Sequence, residues 1–345
     1  MRRIEFHDRE REMGEIQAIL DAEPSLITFI YGPINSGKTT TISHLIEELP
    51  DEYAPFYVNL RGRFITDYED FLNVLFEIDE RDGVGNVTEY AKSALKDLGA
   101  VSGIPIPINL FEKIFEKKDK SKDMFKYIEQ FFVEVSKTRT PILIIDELQV
   151  IGDLKIDGFL IYKLFNFFIR LTKELHLAHV FVITSDSLFI EQVYSEAMLE
   201  GRCRYLLVDD FDNSTTINFL DKYKFSDTEK EVAWNYCGGK PVCLVELINA
   251  GENRKRKAEE LLKIRKGQIE EIVYSLEARD KEMFDAVMGL LSEFIRNEKF
   301  GYKYISDEIK FLVGKNIVFA DSVNKEIRAQ SRLNLLAIRE VMRDA

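Results

Sequence analysis

Apolar residues fall into two rhythms along this chain: short unbroken runs, and stripes recurring every third or fourth position. Leu26–Tyr31, Ala54–Asn59, Pro141–Asp146, Val180–Ser185 and Arg204–Val208 are runs of strand length, rich in β-branched and aromatic residues. Between them lie helical stripes: Met13, Ile16, Ile19 and Leu20 behind a capping Asp8; Ile42, Leu45, Ile46 and Leu49; Tyr68 to Ile78; Phe125, Ile128, Phe132 and Val135; and Phe159 to Leu171. Ile142-Leu143-Ile144-Ile145 leaves no polar face, which suits a strand covered on both sides. Strands alternating with helices up to residue 210 predict a parallel α/β sheet.

The rhythm then changes. From Asn213 to Gly251 no strand-like run survives, and Gly238-Gly239-Lys240-Pro241 interrupts what reads as a small helical domain. Arg254-Lys255-Arg256-Lys257, with Lys263, Arg265 and Lys266, makes a basic helix, read as a linker. In the tail, helices over Met283–Ile295 and around Ile305–Val313 precede two strands, Ile317–Ala320 and Glu326–Ala329, joined by the turn 322–325. Helices followed by a β-hairpin form the winged-helix layout. The expected division is 1–211 for the α/β core, 212–252 for a helical lid, 253–278 for the linker and 279–345 for the winged helix. Residues 81–122, with Gly83, Gly85, Gly103 and the charged run Glu116–Lys120, read as an exposed insertion. The prolines of Ile104–Ile108 allow only an edge strand there.

Bulk properties narrow the function classes. The 345 residues are 46% hydrophobic, enough for a sizeable core, and the net charge of -13 argues against one large nucleic-acid face. Cys203, Cys237 and Cys243 form no CxxC pair and the four histidines give no zinc spacing, so reduced thiols are expected. Met1–Glu5 has no apolar signal core, and Lys163, Asn166 and Arg170 interrupt the greasiest helix. A cytoplasmic protein without a membrane segment is the expectation.

The strongest local signal is Gly32-Pro33-Ile34-Asn35-Ser36-Gly37-Lys38-Thr39, set between the first strand and the helix carrying Thr40. It fits the phosphate-binding pattern G-x-x-x-x-G-K-[S/T]. Gly32 and Gly37 let the backbone curl so that N–H groups point inward, and the helix N-terminus adds partial positive charge. Lys38 can then reach the β- and γ-phosphates of a nucleotide, and the Thr39 hydroxyl can ligate Mg²⁺. Asp146-Glu147 ends a predicted strand, where Asp146 would hold the metal and Glu147 could polarise a water. Thr184 and Ser185 end a neighbouring strand, as γ-phosphate sensors or as simple polar caps. Arg202 and Arg204 flank Cys203, as candidate arginine fingers acting on a neighbouring subunit or as ordinary surface arginines.

These residues, with Phe6-His7-Asp8-Arg9-Glu10, Gly201-Arg202 and Gly238-Gly239-Lys240-Pro241, make the chain similar to the archaeal ATPases of the AAA+-related, STAND-like class. The resemblance spans about residues 5–245. It implies a P-loop core, a helical lid and a C-terminal winged helix. It also implies ATP or ADP as ligand, with Phe6 to Arg9 near the adenine and Pro241 against base or sugar. In that scheme Glu147 aligns the water, Ser185 or Thr184 is the sensor, and Arg202 is the arginine of the last core strand. The glycine segment carries no arginine, so a lid sensor falls to Lys240 if to any residue. The reading is a Mg²⁺-dependent ATPase that drives a conformational switch. Its alternatives are an ATP-gated DNA-binding module, using the basic helix and winged helix, and a nucleotide-gated scaffold for a protein partner or a second copy.

Overall fold

The computed structural model describes residue 4 and residues 6–80, 86–94, 101–116, 120–151, 160–196 and 199–344. Its strands, in chain order, are β1 (Ile27–Tyr31), β2 (Tyr53–Asn59), β3 (Phe76–Asp79), β4 (Val101–Ser102), β5 (Ile104–Pro107), β6 (Thr140–Asp146), β7 (His179–Thr184) and β8 (Cys203–Leu207), then β9 (Lys299–Gly301), β10 (Val318–Asp321) and β11 (Glu326–Ala329). The expected parallel sheet is present, in the order β4-β2-β6-β7-β1-β8.

Alternation along the central strands explains why the apolar runs are unbroken. Ile142 and Ile144 of β6 face one layer, with Phe181 and Ile183 of β7 and with Ile16, Ile42 and Leu45 from the helices Glu10–Leu20 and Lys38–Glu48. Leu143 and Ile145 face the other layer, with Val180, Val182 and a phenylalanine-rich stratum that includes Phe131, Phe132, Phe165 and Phe168. Each such fully buried side chain contributes about 1.5–3 kcal/mol of transfer free energy, so both faces of the sheet are firmly clamped. Because every strand is parallel, the carboxyl ends of β1, β6 and β7 open on one edge. The pairings Tyr31↔Thr184, Asp146↔Ile183 and Asn59↔Asp146 set those ends side by side.

Three local expectations need correction. Asp8 does not cap the first helix; Arg9 occupies the cap position with a left-handed backbone, and Asp8 accepts a 2.6 Å bond from Thr215 Oγ1. The helix from Tyr68 stops at Leu75, and β3 follows, paired in parallel with β5. The segment containing β5 is not an exposed insertion, since Ile104, Ile106 and Tyr90 are buried in the main core. Gly83, Gly85 and residues 117–119 of the charged run lie outside the described residues.

Helices Asn213–Asp221, Asp227–Cys237 and Pro241–Asn249 pack Phe219, Leu220, Ala233 and Leu244 into a core of their own. The basic stretch is a continuous helix, Arg254–Glu277, but more than a linker. Its Ala258 belongs to that helical core, while Ile269 and Val273 enter the C-terminal core. The tail has its two helices, Lys281–Ser292 and Asp307–Gly314, and the β10–β11 hairpin. It also has two elements the sequence reading omitted: β9, on the free edge of β11, and a closing helix, Arg332–Asp344. Among the described residues no helix is long and apolar enough to cross a membrane, and the three cysteines are free thiols.

Candidate functional site

The loop from Gly32 to Thr39 is held from distant parts of the chain. Ser36 Oγ donates to the Val208 carbonyl at 2.6 Å, just past β8. A Cβ on Gly32 would stand 2.2 Å from that same carbonyl oxygen, so only glycine fits the first loop position. Asn35 and Gly37 take positive φ, giving the curl that turns N–H groups inward. The buried Arg9 donates to the Ser36 carbonyl at 2.5 Å and to Glu12 at 2.9 Å, with its guanidinium over the Phe211 ring. From the helical domain Lys240 reaches the Ile34 carbonyl at 2.9 Å while paired with Asp210 at 2.8 Å. Lys38 curls back on the carbonyls of Gly32 and Pro33, at 3.0 and 2.9 Å. Burial brings its ammonium down to a pKa of about 8. These loop carbonyls are weak partners for a buried cation, and a polyphosphate would be a far stronger one.

Opposite the loop, Asp146 Oδ2 accepts from Thr39 Oγ1 and Tyr57 OH, each at 2.9 Å. Its other oxygen, Oδ1, is buried without a partner, and desolvation raises the carboxyl pKa. A buried carboxylate oxygen left open beside a threonine hydroxyl fits a divalent cation at Asp146 and Thr39. Among the described residues no group of three or more His, Cys, Asp or Glu gathers for a metal, so phosphate oxygens and water would complete the shell.

Glu147 sits in the left-handed region, φ 62°, with its N–H on the Ile183 carbonyl at 2.9 Å. Non-glycine residues adopt this conformation where the surroundings impose it, often at working sites. The turn sends the Glu147 carboxylate to Arg61 and Ser185 through Oε1 and to Gln149 through Oε2, the Ser185 bond being 3.4 Å. Thr184, fully buried, donates to Gln149 Oε1 at 2.9 Å, so of the two hydroxyls Ser185 is the one beside the acid.

A cleft of about 240 Å³ flanks the loop, lined by Phe6, His7, Arg9, Thr40, Phe211 and Pro241 among others. Phe6 lies against His44 at 4.0 Å between ring centroids and His7 against Phe219 at 5.2 Å. The cleft is largely apolar and borders the phosphate loop at Ser36 and Gly37, which suits a base lying beside bound phosphates.

Arg202 and Arg204 are not brought to this edge. The Arg202 carbonyl accepts from Ile27 N, and Arg204 reaches Ser25, so both stand at the amino end of the sheet. From Arg202 to the loop end of β8 is roughly 16 Å, five residues at about 3.3 Å each. Tyr57, Arg61, Val208 and Asp210 complete the site without having been singled out from the sequence, and Gln149, part of the motif around Asp146, had no role assigned to it. Each stands in or just beyond a strand of the parallel sheet, at its carboxyl end, and that position is the signal that could have found them.

The C-terminal unit docks beside the loop. Tyr31, which precedes Gly32, donates to Asp321 Oδ1, Arg328 pairs with Asp209 at 2.6 Å, and Lys325 with Glu191 at 2.8 Å.

Comparison with known proteins shows the family and the fold. A family model described as an ATPase domain predominantly from Archaea matches residues 6–247. A second, the C-terminal domain of an uncharacterized ATP-binding protein group, MJ1010-like, matches 255–342. An uncharacterized ATP-binding protein of Pyrococcus abyssi is 49% identical over 338 residues, 98% of this chain and 98% of its own. One from Methanocaldococcus jannaschii is 47% identical over 353 residues, again 98% of each. A solved Walker-type ATPase of Pyrococcus abyssi superposes with a TM-score of 0.60 at 17% identity, covering 98% of this chain and 97% of that one, which shows a shared fold.

Proposed function

The chain belongs to the family of ATPase domains found predominantly in Archaea, and from that premise we propose that it hydrolyses ATP in a Mg²⁺-dependent manner to move its C-terminal unit. The observation that carries the reading is the bond from Thr39 to Asp146, whose Oδ1 is buried and open, with Lys38 within electrostatic range of both Asp146 and Glu147.

ATP would place its base between Phe6, Phe211 and Pro241 and its phosphates along Gly32 to Thr40. Lys38 would leave the carbonyls of Gly32 and Pro33 for the β- and γ-phosphates, regaining the proton affinity that burial removes. A Mg²⁺ ion held by Thr39 and Asp146 would neutralise charge developing on the phosphates. Glu147 would orient and deprotonate the attacking water, with Ser185 beside it to sense the terminal phosphate. Arg202, at the far end of the sheet, would serve only in a neighbouring copy's site.

Nucleotide state would reach the C-terminal unit through Tyr31–Asp321 and through Arg328–Asp209, next to the Asp210 that pairs with Lys240. The order helix, strand, helix, hairpin in that unit supports the winged-helix reading. DNA is the weaker partner. Arg254, Lys257 and Lys266 of the basic helix pair with Glu229, Glu246 and Asp344, and Arg265 is turned in to Asn334. Those four charges are engaged within the chain, while Lys255, Arg256 and Lys263 are exposed; that engagement and the net charge of -13 favour a protein partner for the switch over phosphate backbones.

The test is ATP turnover with Mg²⁺, with and without duplex DNA, for the wild type, Lys38→Ala and Glu147→Gln. Turnover lost in both variants supports the reading. ATP binding undiminished in Lys38→Ala would sink it.

A further inference from the structure

Two of the cysteines stand at the elbow of the helical domain. Cys237 closes the helix Asp227–Cys237 and is fully buried, while Cys243 lies in the first turn of Pro241–Asn249 and is half-buried. Cys243 packs against the same core that encloses Cys237, and the Cys237 thiol donates to the Cys243 sulfur. The backbone between them is a tight link. Lys240 N donates to the Cys237 carbonyl at 3.4 Å, and Cys243 N to the Lys240 carbonyl at 3.0 Å. The residues so bracketed are the ones that reach the candidate site. Gly238 lies against Arg332, where a Cβ would stand 2.9 Å from the arginine Cβ, and Gly239 lies against the Phe211 backbone. Lys240 holds the Ile34 carbonyl, and Pro241 lines the cleft.

The two sulfurs are unlike. Cys243 sits near a helix N-terminus, a place that favours a thiolate. The bond from Cys237, and then the Lys240 charge, hold its thiol below the usual range although burial opposes them. The same bond and burial push the Cys237 thiol up, so it keeps its proton. Exposed Val242 adjoins Cys243 on the solvent side. A half-exposed nucleophilic sulfur in contact with a buried second thiol is the arrangement of a redox pair.

We propose that Cys237 and Cys243 form a reversible disulfide, a modification site that tightens the elbow and weakens nucleotide binding. The oxidant it takes is a low-molecular-weight disulfide. The Cys243 thiolate attacks one sulfur of that molecule, breaking its S–S bond and releasing one thiolate. Cys237 then gives its proton to solvent, and its sulfur attacks Cys243 and releases the second thiolate. The cysteine pair loses two electrons and the small disulfide gains them, leaving as two thiols. A covalent bond is much shorter than a thiol hydrogen bond, so oxidation draws the ends of the two helices together. The segment between has no slack, being pinned at Arg332, Phe211 and Ile34, so Lys240 and Pro241 are shifted from the phosphate loop and the cleft. The effect on nucleotide rests on the reading of that cleft as the base site; the disulfide itself does not.

The experiment oxidises the reduced full chain with glutathione disulfide, alkylates free thiols under denaturing conditions and weighs the tryptic peptide that carries both cysteines. The wild type should give that peptide unalkylated and lighter by two hydrogens, and dithiothreitol should reverse the change. Cys237→Ala should stop at a mixed disulfide on Cys243. ADP affinity, by calorimetry, should fall about tenfold in the oxidised wild type and stay level in Cys243→Ala given the same treatment. By reciprocity, saturating ADP should favour the reduced pair about tenfold, about 30 mV. A wild-type peptide alkylated at both cysteines, or carrying only glutathione, overturns the disulfide. A disulfide that leaves ADP affinity unchanged overturns its control of nucleotide. A reduced wild type that binds no ADP removes instead the reading of the cleft, and the peptide mass still decides the disulfide.

Discussion

Tyr31, the residue before the phosphate loop, donates its hydroxyl to Asp321 Oδ1 at 3.2 Å from a position 290 residues earlier in the chain. Both groups are buried, and burial with the nearby carboxylate raises the phenol pKa far out of its usual range, so the hydroxyl stays protonated and always donates. Asp321 also accepts from the N–H groups of Val323 and Asn324, which shapes the β10–β11 turn. One carboxylate therefore joins the hairpin's form to the strand feeding the loop.

Tyr31→Phe removes this bond alone and should lower stability by about 1.5–3 kcal/mol, the range for a hydrogen bond to a charged acceptor. Urea unfolding gives the loss. Proteolysis before and after ADP addition should show the hairpin less protected than in the wild type in both states. Equal protection would mean the bond carries no coupling.

Gly239 is a second point where backbones touch. A Cβ there would stand 1.7 Å from the Phe211 carbonyl oxygen, and Phe211 N already donates to the Gly239 carbonyl at 3.0 Å. Gly239→Ala must push the segment away, carrying Lys240 off Ile34 and Pro241 out of the cleft. ADP affinity should fall at least tenfold, about 1.4 kcal/mol, measured by calorimetry, while far-ultraviolet dichroism is unchanged.

Lys240 and Asp210 form a buried pair, the Lys240 side chain being 4% exposed. Burial works to raise the Asp210 pKa, with Lys240 opposing it. Lys240→Met leaves that carboxylate stranded and should cost about 3–5 kcal/mol at pH 7. Lys240→Met/Asp210→Asn should recover most of it. Failure of the double variant to recover stability would show that Lys240 acts chiefly through the Ile34 carbonyl.

Lys38 gives nucleotide binding a pH signature. Its pKa of about 8 in the free protein must rise when phosphate replaces the carbonyls of Gly32 and Pro33. The bound state therefore holds the proton more tightly. Affinity should be level below pH 8 and fall above it, approaching tenfold per pH unit. Calorimetry at pH 9 in buffers of different ionisation enthalpy should register proton uptake on ADP binding. Lys38→Met should abolish that uptake.

What the sequence discloses depends on how local each interaction is. Ile142–Ile145 reveals its two-sided burial in four adjacent letters, and Gly32–Thr39 carries its loop geometry in its own glycines. Arg61 meets Glu147 and Val208 meets Ser36 only because parallel strands distant in sequence end together, and no short window contains that fact. Phe76 continues the stripe of Phe71, Leu72 and Leu75, so the helix reads on through it. Strand β3 exists because β5 supplies its hydrogen bonds. Strand β9 is three residues with exposed ends, held by β11 alone. Asp8 had the right chemistry for a cap and found a better donor in Thr215, 207 residues away.

The clamps on the phosphate loop also order events during synthesis. Ser36 is fixed by a carbonyl 172 residues later, and Ile34 by a lysine 206 residues later. A nascent chain that has emerged only as far as Thr39 has the whole motif but none of these downstream restraints. Its glycines leave the loop as one conformer among many, with the entropy of closing two very long loops still opposing the bound shape. The closed shape of the loop thus draws on restraints supplied as far along the chain as residue 240.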